Sequence, residues 1–312
     1  MGERMNESYR RQVRLMLDLV PFIAEESVFA LKGGTAINFF VRDLPRLSVD
    51  IDLTYLPRDD RAATLTGIAD GLNRIKLKAE RWLPGARLAL VSQGGDLEVK
   101  MHCQQGRARV KVEVNPLQRG SLWPIRKLAC TKAVEDAFES FVEVSVLSHA
   151  ELFGGKVAAA FDRQHPRDLF DVRHLLDAEG LGNDVRAELL LNLIGHRRPI
   201  VELLAPAVKD QRQAFSGEFS GMTRLPFDYA AHEATLAELI NLVRTSLTEK
   251  ERKFLLGFED GNPDWSLFPA SGADRLPAPR WKLLNVQKLR EQNPAKHAAG
   301  LRSLEKVLQQ HS

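Results

Sequence analysis

The hexapeptide Ser48-Val49-Asp50-Ile51-Asp52-Leu53 constrains this chain more than any other segment. In an extended backbone side chains alternate faces with period two. Ser48, Asp50 and Asp52 therefore share one face, while Val49, Ile51 and Leu53 bury the other. Upstream, the apolar run Val28-Phe29-Ala30-Leu31 leads through Lys32-Gly33-Gly34-Thr35 into a short helix predicted over Ala36 to Val41. The second strand, Val49 to Tyr55, carries the aspartates. The result is a strand–turn–helix–strand unit with a glycine turn and a carboxylate pair in one place.

Each half has a plain explanation by itself. A pair of aspartates on a strand edge is commonly a solvated face, and Gly-Gly before a helix is commonly a turn. Together they have a chemistry. Two close carboxylates repel unless a cation neutralises them, and paired hard oxygens suit Mg²⁺, with Mn²⁺ as the alternative. Gly33, Gly34 and Thr35 offer backbone N–H groups to phosphate at a helix start, and Ser48 adds a hydroxyl. A phosphate cradle beside a carboxylate pair points to metal-assisted nucleotidyl transfer from an NTP.

A third carboxylate follows from the strand predicted over Arg107 to Asn115. Arg107, Arg109, Lys111 and Glu113 share one face, and Ala108, Val110, Val112 and Val114 the other. Glu113 is the acidic exception on a basic face. It either joins Asp50 and Asp52 as a metal ligand or pairs with its Lys and Arg neighbours.

The next cluster runs from Gly154-Gly155-Lys156 through Arg163, His165-Pro166-Arg167-Asp168 and Asp171. Lys156 and Arg163, seven apart, lie on one helix face, and Pro166 suits the first turn of a second helix. Aspartate is favoured there by the macrodipole alone. Yet Lys156, Arg163 and Arg167 are the donors a triphosphate needs, and Asp168 can orient Lys156 or contact a base. His149, His165 and His174 are irregularly spaced and read as structural. Phe254, Phe258 and Trp265 read as core, with Trp281, between Arg280 and Lys282, kept as a candidate for stacking on RNA.

Around these motifs, periodicity predicts helices over Tyr9 to Leu19 and Asp59 to Leu83, and strands over Arg87 to Ser92, Asp96 to Cys103 and Val142 to Val146. Gly94-Gly95 and Gln105-Gly106 read as hairpin turns. From Ser148 onward the pattern is helical, which sets a joint near residue 147. Asp260 to Pro279, rich in Gly, Pro, Ser and Asp, reads as a linker or mobile loop.

Composition removes several classes. No apolar run approaches the ~20 residues needed to cross a bilayer, and no apolar segment follows the charged start, so neither membrane nor secretory signal is expected. Cys103 and Cys130 form no metal-ligand spacing, and a reducing cytoplasm is the simplest address. Net charge is only +3, yet Arg275 to Ser312 holds eight Lys or Arg against two Glu. A basic C-terminal tail on a mildly acidic body suits a polyanionic partner, or else is a solvated helix face.

Lys32-Gly33-Gly34-Thr35, Arg46-Leu47-Ser48-Val49-Asp50-Ile51-Asp52-Leu53, Lys111-Val112-Glu113-Val114-Asn115 and Gly155-Lys156 through Arg167-Asp168-Leu169-Phe170-Asp171 together resemble the AbiEii/AbiGii nucleotidyltransferase toxins. These belong to the DNA polymerase β-like superfamily and include the mycobacterial MenT toxins. The resemblance covers roughly residues 28 to 175. It implies an α/β (α+β) fold: a polymerase β-like catalytic domain over 1–147, with a mixed sheet flanked by helices, then a mainly helical domain over 148–312 contributing Lys156 and Asp168. It also implies a toxin of a type IV toxin–antitoxin or phage-defence pair, with a cognate antitoxin as partner. Ser48 and Asp50 match the superfamily's serine and metal aspartate, Asp52 its second ligand, and Lys156 and Asp168 the family's lysine and aspartate. Some relatives add nucleotides to the 3′ end of tRNA, which makes an RNA acceptor, tRNA, the expectation here. The alternatives are a nucleotidyltransferase that modifies a protein or small molecule, and a catalytically silent module that binds RNA or a partner.

Overall fold

In the computed structural model, which describes residues 7–92 and 99–309, the change from period two to period 3.6 along the sequence is a change from sheet to helices. The chain forms two compact units, one comprising the chain up to Leu152 together with Phe219–Pro226, the other Phe153–Glu218 and the chain from Phe227. The first boundary falls a few residues past the expected joint.

The first unit contains α1 (Glu7–Ala24), β1 (Phe29–Lys32), α2 (Gly33–Ala36, continued by a π turn over Ile37–Val41), β2 (Asp50–Tyr55), α3 (Arg61–Trp82), β3 (Ala86–Ser92), β4 (Val99–Gln105), β5 (Ala108–Val114), β6 (Arg126–Ala129), α4 (Lys132–Phe138), β7 (Glu143–Val146) and the start of α5 (His149–Arg163). The strands form one mixed sheet in the order β3-β4-β5-β2-β1-β7-β6. β2 runs parallel to β5, and β1 to β7; the other pairs are antiparallel. Alternation does what the sequence demands. Ile51, Leu53, Val110, Val112 and Val114 have no solvent exposure, and helices α1 and α3 pack on the sheet. Asp60 caps α3 by accepting from the Ala63 N–H at 2.9 Å, so that helix begins just after the expected Asp59. Strand β4 is described from Val99, and the expected Gly94-Gly95 turn lies outside the described residues. β6 and α4 were not expected; each is short and carries too few residues to establish a period.

Phe219–Pro226 returns to the first unit as a clasp on the approach to β2. The Leu47 N–H donates to the Met222 carbonyl at 2.8 Å, Arg46 and Thr223 form an isolated β-bridge, and the Thr223 hydroxyl donates to the Pro45 carbonyl at 3.0 Å.

The second unit is helical: the rest of α5, then α6 (Pro166–Ala178), α7 (Asn183–Gly195), α8 (Ile200–Leu204), α9 (Arg212–Ala214), α10 (Tyr229–Ser246), α11 (Glu249–Glu259), α12 (Pro277–Gln292) and α13 (Pro294–Gln309). Asp260 to Pro279 is not a linker. It folds into two 3₁₀ turns, Trp265–Leu267 and Ala273–Arg275, because Trp265 and Phe268 pack on Phe254 at ring distances of 5.4 and 4.9 Å. The basic segment is likewise two packed helices, α12 and α13, rather than a tail. Lys282 is buried and donates to the Arg198 carbonyl at 2.8 Å, and Arg290 pairs with Asp260 at 3.6 Å. Trp281 is 37% exposed on α12. Among the described residues, no helix is long and apolar enough to cross a membrane.

Candidate functional site

The turn between β1 and α2 sits directly on the carboxylate pair. Gly33 has φ +73, a left-handed conformation that favours glycine, and a Cβ there would lie 2.3 Å from Asp52 Oδ2. At Gly34 a Cβ would lie 2.7 Å from an Arg46 guanidinium nitrogen and 3.1 Å from Ser48 Oγ. Close approach favours glycine at both positions, and turn shape requires it at Gly33 as well. Among the described residues no side chain caps the start of α2. Thr35, expected to offer its backbone N–H to phosphate, has a buried side chain and is 1% exposed. Its hydroxyl donates to the Asp50 carbonyl at 2.5 Å, which ties α2 to β2. Its place is to position Asp50, since a buried hydroxyl must find its partner inside.

Across the sheet, register assembles two rows of charge on one face. Lys32, Asp52, Glu113 and Lys100 lie side by side on β1, β2, β5 and β4; Asp50, Lys111 and His102 form the next row. Asp50, Asp52 and Glu113 are half-buried. Glu113 accepts from Lys100 and Lys111, both at 3.0 Å. Burial pushes its carboxyl up, but the hydrogen bonds from Lys111 and Lys100 overcome that and hold it below its ordinary value. Both sequence readings of Glu113 therefore have a footing: it stands beside Asp52 and is paired with lysines. Among the described residues, no three His, Cys, Asp or Glu side chains are gathered closely enough to form a metal cluster. The Asp50–Asp52 pair on β2 lies against the glycine turn, with the Gly33 Cβ position 2.3 Å from Asp52 Oδ2.

The second unit contains a cluster of its own. Lys156 on α5, 6% exposed, reaches Asp168 at 2.9 Å and Asp171 at 3.1 Å on α6. Arg163 adds a forked contact to Asp168, at 2.5 and 2.9 Å. Burial alone would push the Asp168 carboxyl up; Lys156 and Arg163 overcome it and hold it far below the carboxylate range. On another face of α5 the helix packs closely on α7. Gly154 has no room for a side chain, its Cβ position lying 2.7 Å from Glu188 Cβ on α7. Arg167 is half-buried in the first turn of α6. His165 caps that helix, accepting from the Arg167 N–H at 3.2 Å, and His174 packs on Phe170 at 4.5 Å. Both are structural.

The structure thus gathers Gly33, Gly34, Ser48, Asp50, Asp52 and Glu113 in one unit, and Lys156, Arg163 and Asp168 in the other. Arg46 and Lys100 were not singled out from sequence, and Asp171 was named in its cluster without a role. Arg46 is 2% exposed against Gly34 and Ser48, and the period-two series Arg46, Ser48, Asp50, Asp52 was the available signal. Asp171, one helical turn after Asp168, was legible as a second partner for Lys156. Lys100 had no local signal, because only strand register brings it to Glu113.

Residues 14–282 match the family described as nucleotidyl transferase AbiEii toxin, type IV TA system. No curated protein matches the chain. Among solved structures, MenT4, a nucleotidyltransferase toxin from Mycobacterium tuberculosis H37Rv, is similar with a TM-score of 0.60 and 18% identity, covering 96% of this chain and 95% of that one. At that identity the likeness is one of fold.

Proposed function

The chain belongs to the AbiEii family, the nucleotidyl transferase toxins of type IV toxin–antitoxin systems, and we propose that it transfers a nucleoside monophosphate from an NTP to an RNA acceptor, the 3′ end of tRNA. The observation that carries this reading is the Gly33 turn packed against the Asp52 carboxylate, with Asp50 beside it on the same strand face.

The residues fit a divalent ion. Mg²⁺ needs only one or two protein carboxylates when phosphate oxygens and water complete its shell. Asp50 and Asp52 would supply hard oxygens, with the Gly33 turn packed directly against the Asp52 carboxylate. Glu113 is the further ligand within register. When bound, the ion neutralises the triphosphate and lowers the pKa of an acceptor hydroxyl. The chain's own groups do the rest. The Gly33 and Gly34 amides and the Ser48 hydroxyl hold phosphate oxygens; Arg46 and Thr35 fix Ser48 and Asp50 in place. The acceptor hydroxyl releases its proton to solvent as its oxygen bonds to the α-phosphorus, the α-phosphorus bond to the β-phosphate oxygen breaks, and pyrophosphate leaves. For the second unit the reading rests on the resemblance. That resemblance gives Lys156 and Asp168 as functional residues, with Asp168 orienting Lys156, and Arg163 and Arg167 as further donors to phosphate. In the cell the activity acts as a toxin or phage-defence effector restrained by an antitoxin.

The test is transfer of α-phosphate label from each NTP, with Mg²⁺, to total tRNA and total protein, using wild type and Asp50→Ala. Label on tRNA from one NTP, absent in the folded variant, is the expected result. Label on protein, or full activity in Asp50→Ala, overturns the reading.

A further inference from the structure

The face that carries Asp50 and Asp52 does not stop at Glu113. Beyond the two rows already described, register places Arg109, Gln104 and Arg87 side by side on β5, β4 and β3, with Arg107 at the hairpin end. Rows on one face are ~7 Å apart along the strands, two residues at ~3.4 Å each. Alternate residues of these strands, such as Met101, Cys103, Val110 and Val112, are buried, and the helices that pack here, α1 and α3, cover that side. Arg87, Gln104, Arg107 and Arg109 are each exposed to solvent among the described residues.

The charge is one-sided. Lys100 and Lys111 are engaged with Glu113, but Arg87, Arg107 and Arg109 make no ion pair among the described residues. Like charges gathered on one sheet face are destabilising, so the arrangement favours a polyanion that spans several of them. The exposed residues Arg87, Gln104, Arg107 and Arg109 include no aromatic side chain, so they offer charge rather than base stacking, which suits contact with a sugar–phosphate backbone irrespective of sequence. Because the rows run on without a break into Asp50 and Asp52, a strand lying across them is led to the carboxylates.

We infer that the open face of β3, β4 and β5 is the docking surface for the phosphate backbone of the RNA acceptor, with Arg87, Arg107 and Arg109 as its contacts. The inference rests on the RNA-acceptor reading above. It makes this sheet face, rather than the basic helices α12 and α13, the main source of RNA affinity.

The experiment uses the full chain and a fluorescently end-labelled tRNA, with an unrelated single-stranded RNA of similar length beside it. Binding is followed by anisotropy across a salt series, and label transfer is followed kinetically, for wild type, Arg87→Glu/Arg109→Glu, Asp50→Ala and Arg302→Glu on α13. The double variant is expected to bind both RNAs about tenfold more weakly or worse at low salt, with a log–log salt slope smaller by roughly 1.5 for two lost phosphate contacts. Its KM for tRNA rises, while its KM for NTP, its kcat at saturating tRNA and its thermal melt stay at wild-type values. Asp50→Ala and Arg302→Glu bind RNA as wild type does. If wild type labels RNA and the double variant does so with unchanged KM and salt slope, the docking surface is wrong and the acceptor reading stands. If wild type labels only protein yet binds RNA, and the double variant loses that binding, the acceptor reading fails and the surface stands. Loss of RNA affinity in Arg302→Glu but not in the double variant places docking on the C-terminal helices and overturns the inference.

Discussion

Replacing Gly33 by alanine tests whether the turn and the carboxylate pair are one device. The backbone there has φ +73, and a residue with a Cβ costs about 1–2 kcal/mol in that conformation. The added methyl would also lie 2.3 Å from Asp52 Oδ2, so the turn or the carboxylate must retreat by about 1 Å to reach ordinary contact. For a unit of this size the conformational cost alone lowers Tm by roughly 2–8 °C. Displacing a metal-binding carboxylate by about 1 Å costs on the order of a hundredfold in rate. The expected outcome is therefore a folded protein, a few degrees less stable, with transfer at saturating NTP down about a hundredfold. Gly155→Ala is the control. Its Cβ meets nothing within 4 Å and it lies inside α5, where Ala is favoured over Gly by up to about 1 kcal/mol, so Tm holds or rises. Transfer by Gly33→Ala within threefold of wild type, at unchanged Tm, would refute the coupling of turn to site.

Glu113→Gln is expected to raise the Mg²⁺ concentration for half-maximal transfer by roughly tenfold; an unchanged Mg²⁺ dependence would confine Glu113 to its ion pairs with Lys100 and Lys111. Lys156→Met leaves Asp168 and Asp171 buried without their ammonium partner, which costs about 3–5 kcal/mol and lowers Tm by roughly 6–20 °C. A melt within 2 °C of wild type, read by calorimetry, would show that the cluster contributes little to stability. Asp168 also sets an acid limit. Its folded-state carboxyl is held below its unfolded value by Lys156 and Arg163 against the opposing effect of burial, so the unfolded chain takes the proton first. The stabilisation is complete above about pH 4 and is lost as pH falls below that. Asp168→Asn should flatten the acid side of a Tm–pH profile, and parallel profiles would contradict the assignment.

What could be read in the sequence was local. Val49, Ile51 and Leu53 against Asp50 and Asp52 gave a half-buried strand, and Val110, Val112 and Val114 against Lys111 and Glu113 gave another, because period two needs no knowledge of neighbours. Lys156 and Arg163 fell on one helix face by spacing alone, and both reach Asp168. What could not be read was long-range. Nothing near Pro45 announces that Thr223, 178 residues away, will bond to its carbonyl. Lys100 meets Glu113 only through the register of β4 on β5. The stretch Asp260 to Pro279 misled for the opposite reason. Its Gly, Pro and Asp content is that of a loop, but Trp265 and Phe268, three residues apart, give it an apolar anchor that composition averages away.

The site's two halves of chemistry are built on different mechanical footings. Asp50 and Asp52 stand on β2, inside a seven-stranded sheet, with β1 on one side and β5 on the other. The approach to that strand is held as well: the Arg46 guanidinium donates to the Leu47 carbonyl at 2.8 Å, and the 219–226 clasp bonds to Pro45 and Leu47. Groups fixed at both ends of a strand keep their geometry when a ligand arrives, which is what transfer at phosphorus needs. Arg87 and Arg109, by contrast, project from the same sheet into solvent, where substitution costs little stability. If that face holds an acceptor's phosphate backbone, which carries no sequence information, substitutions along β3 to β5 should weaken different RNA acceptors alike without altering the nucleotide transferred.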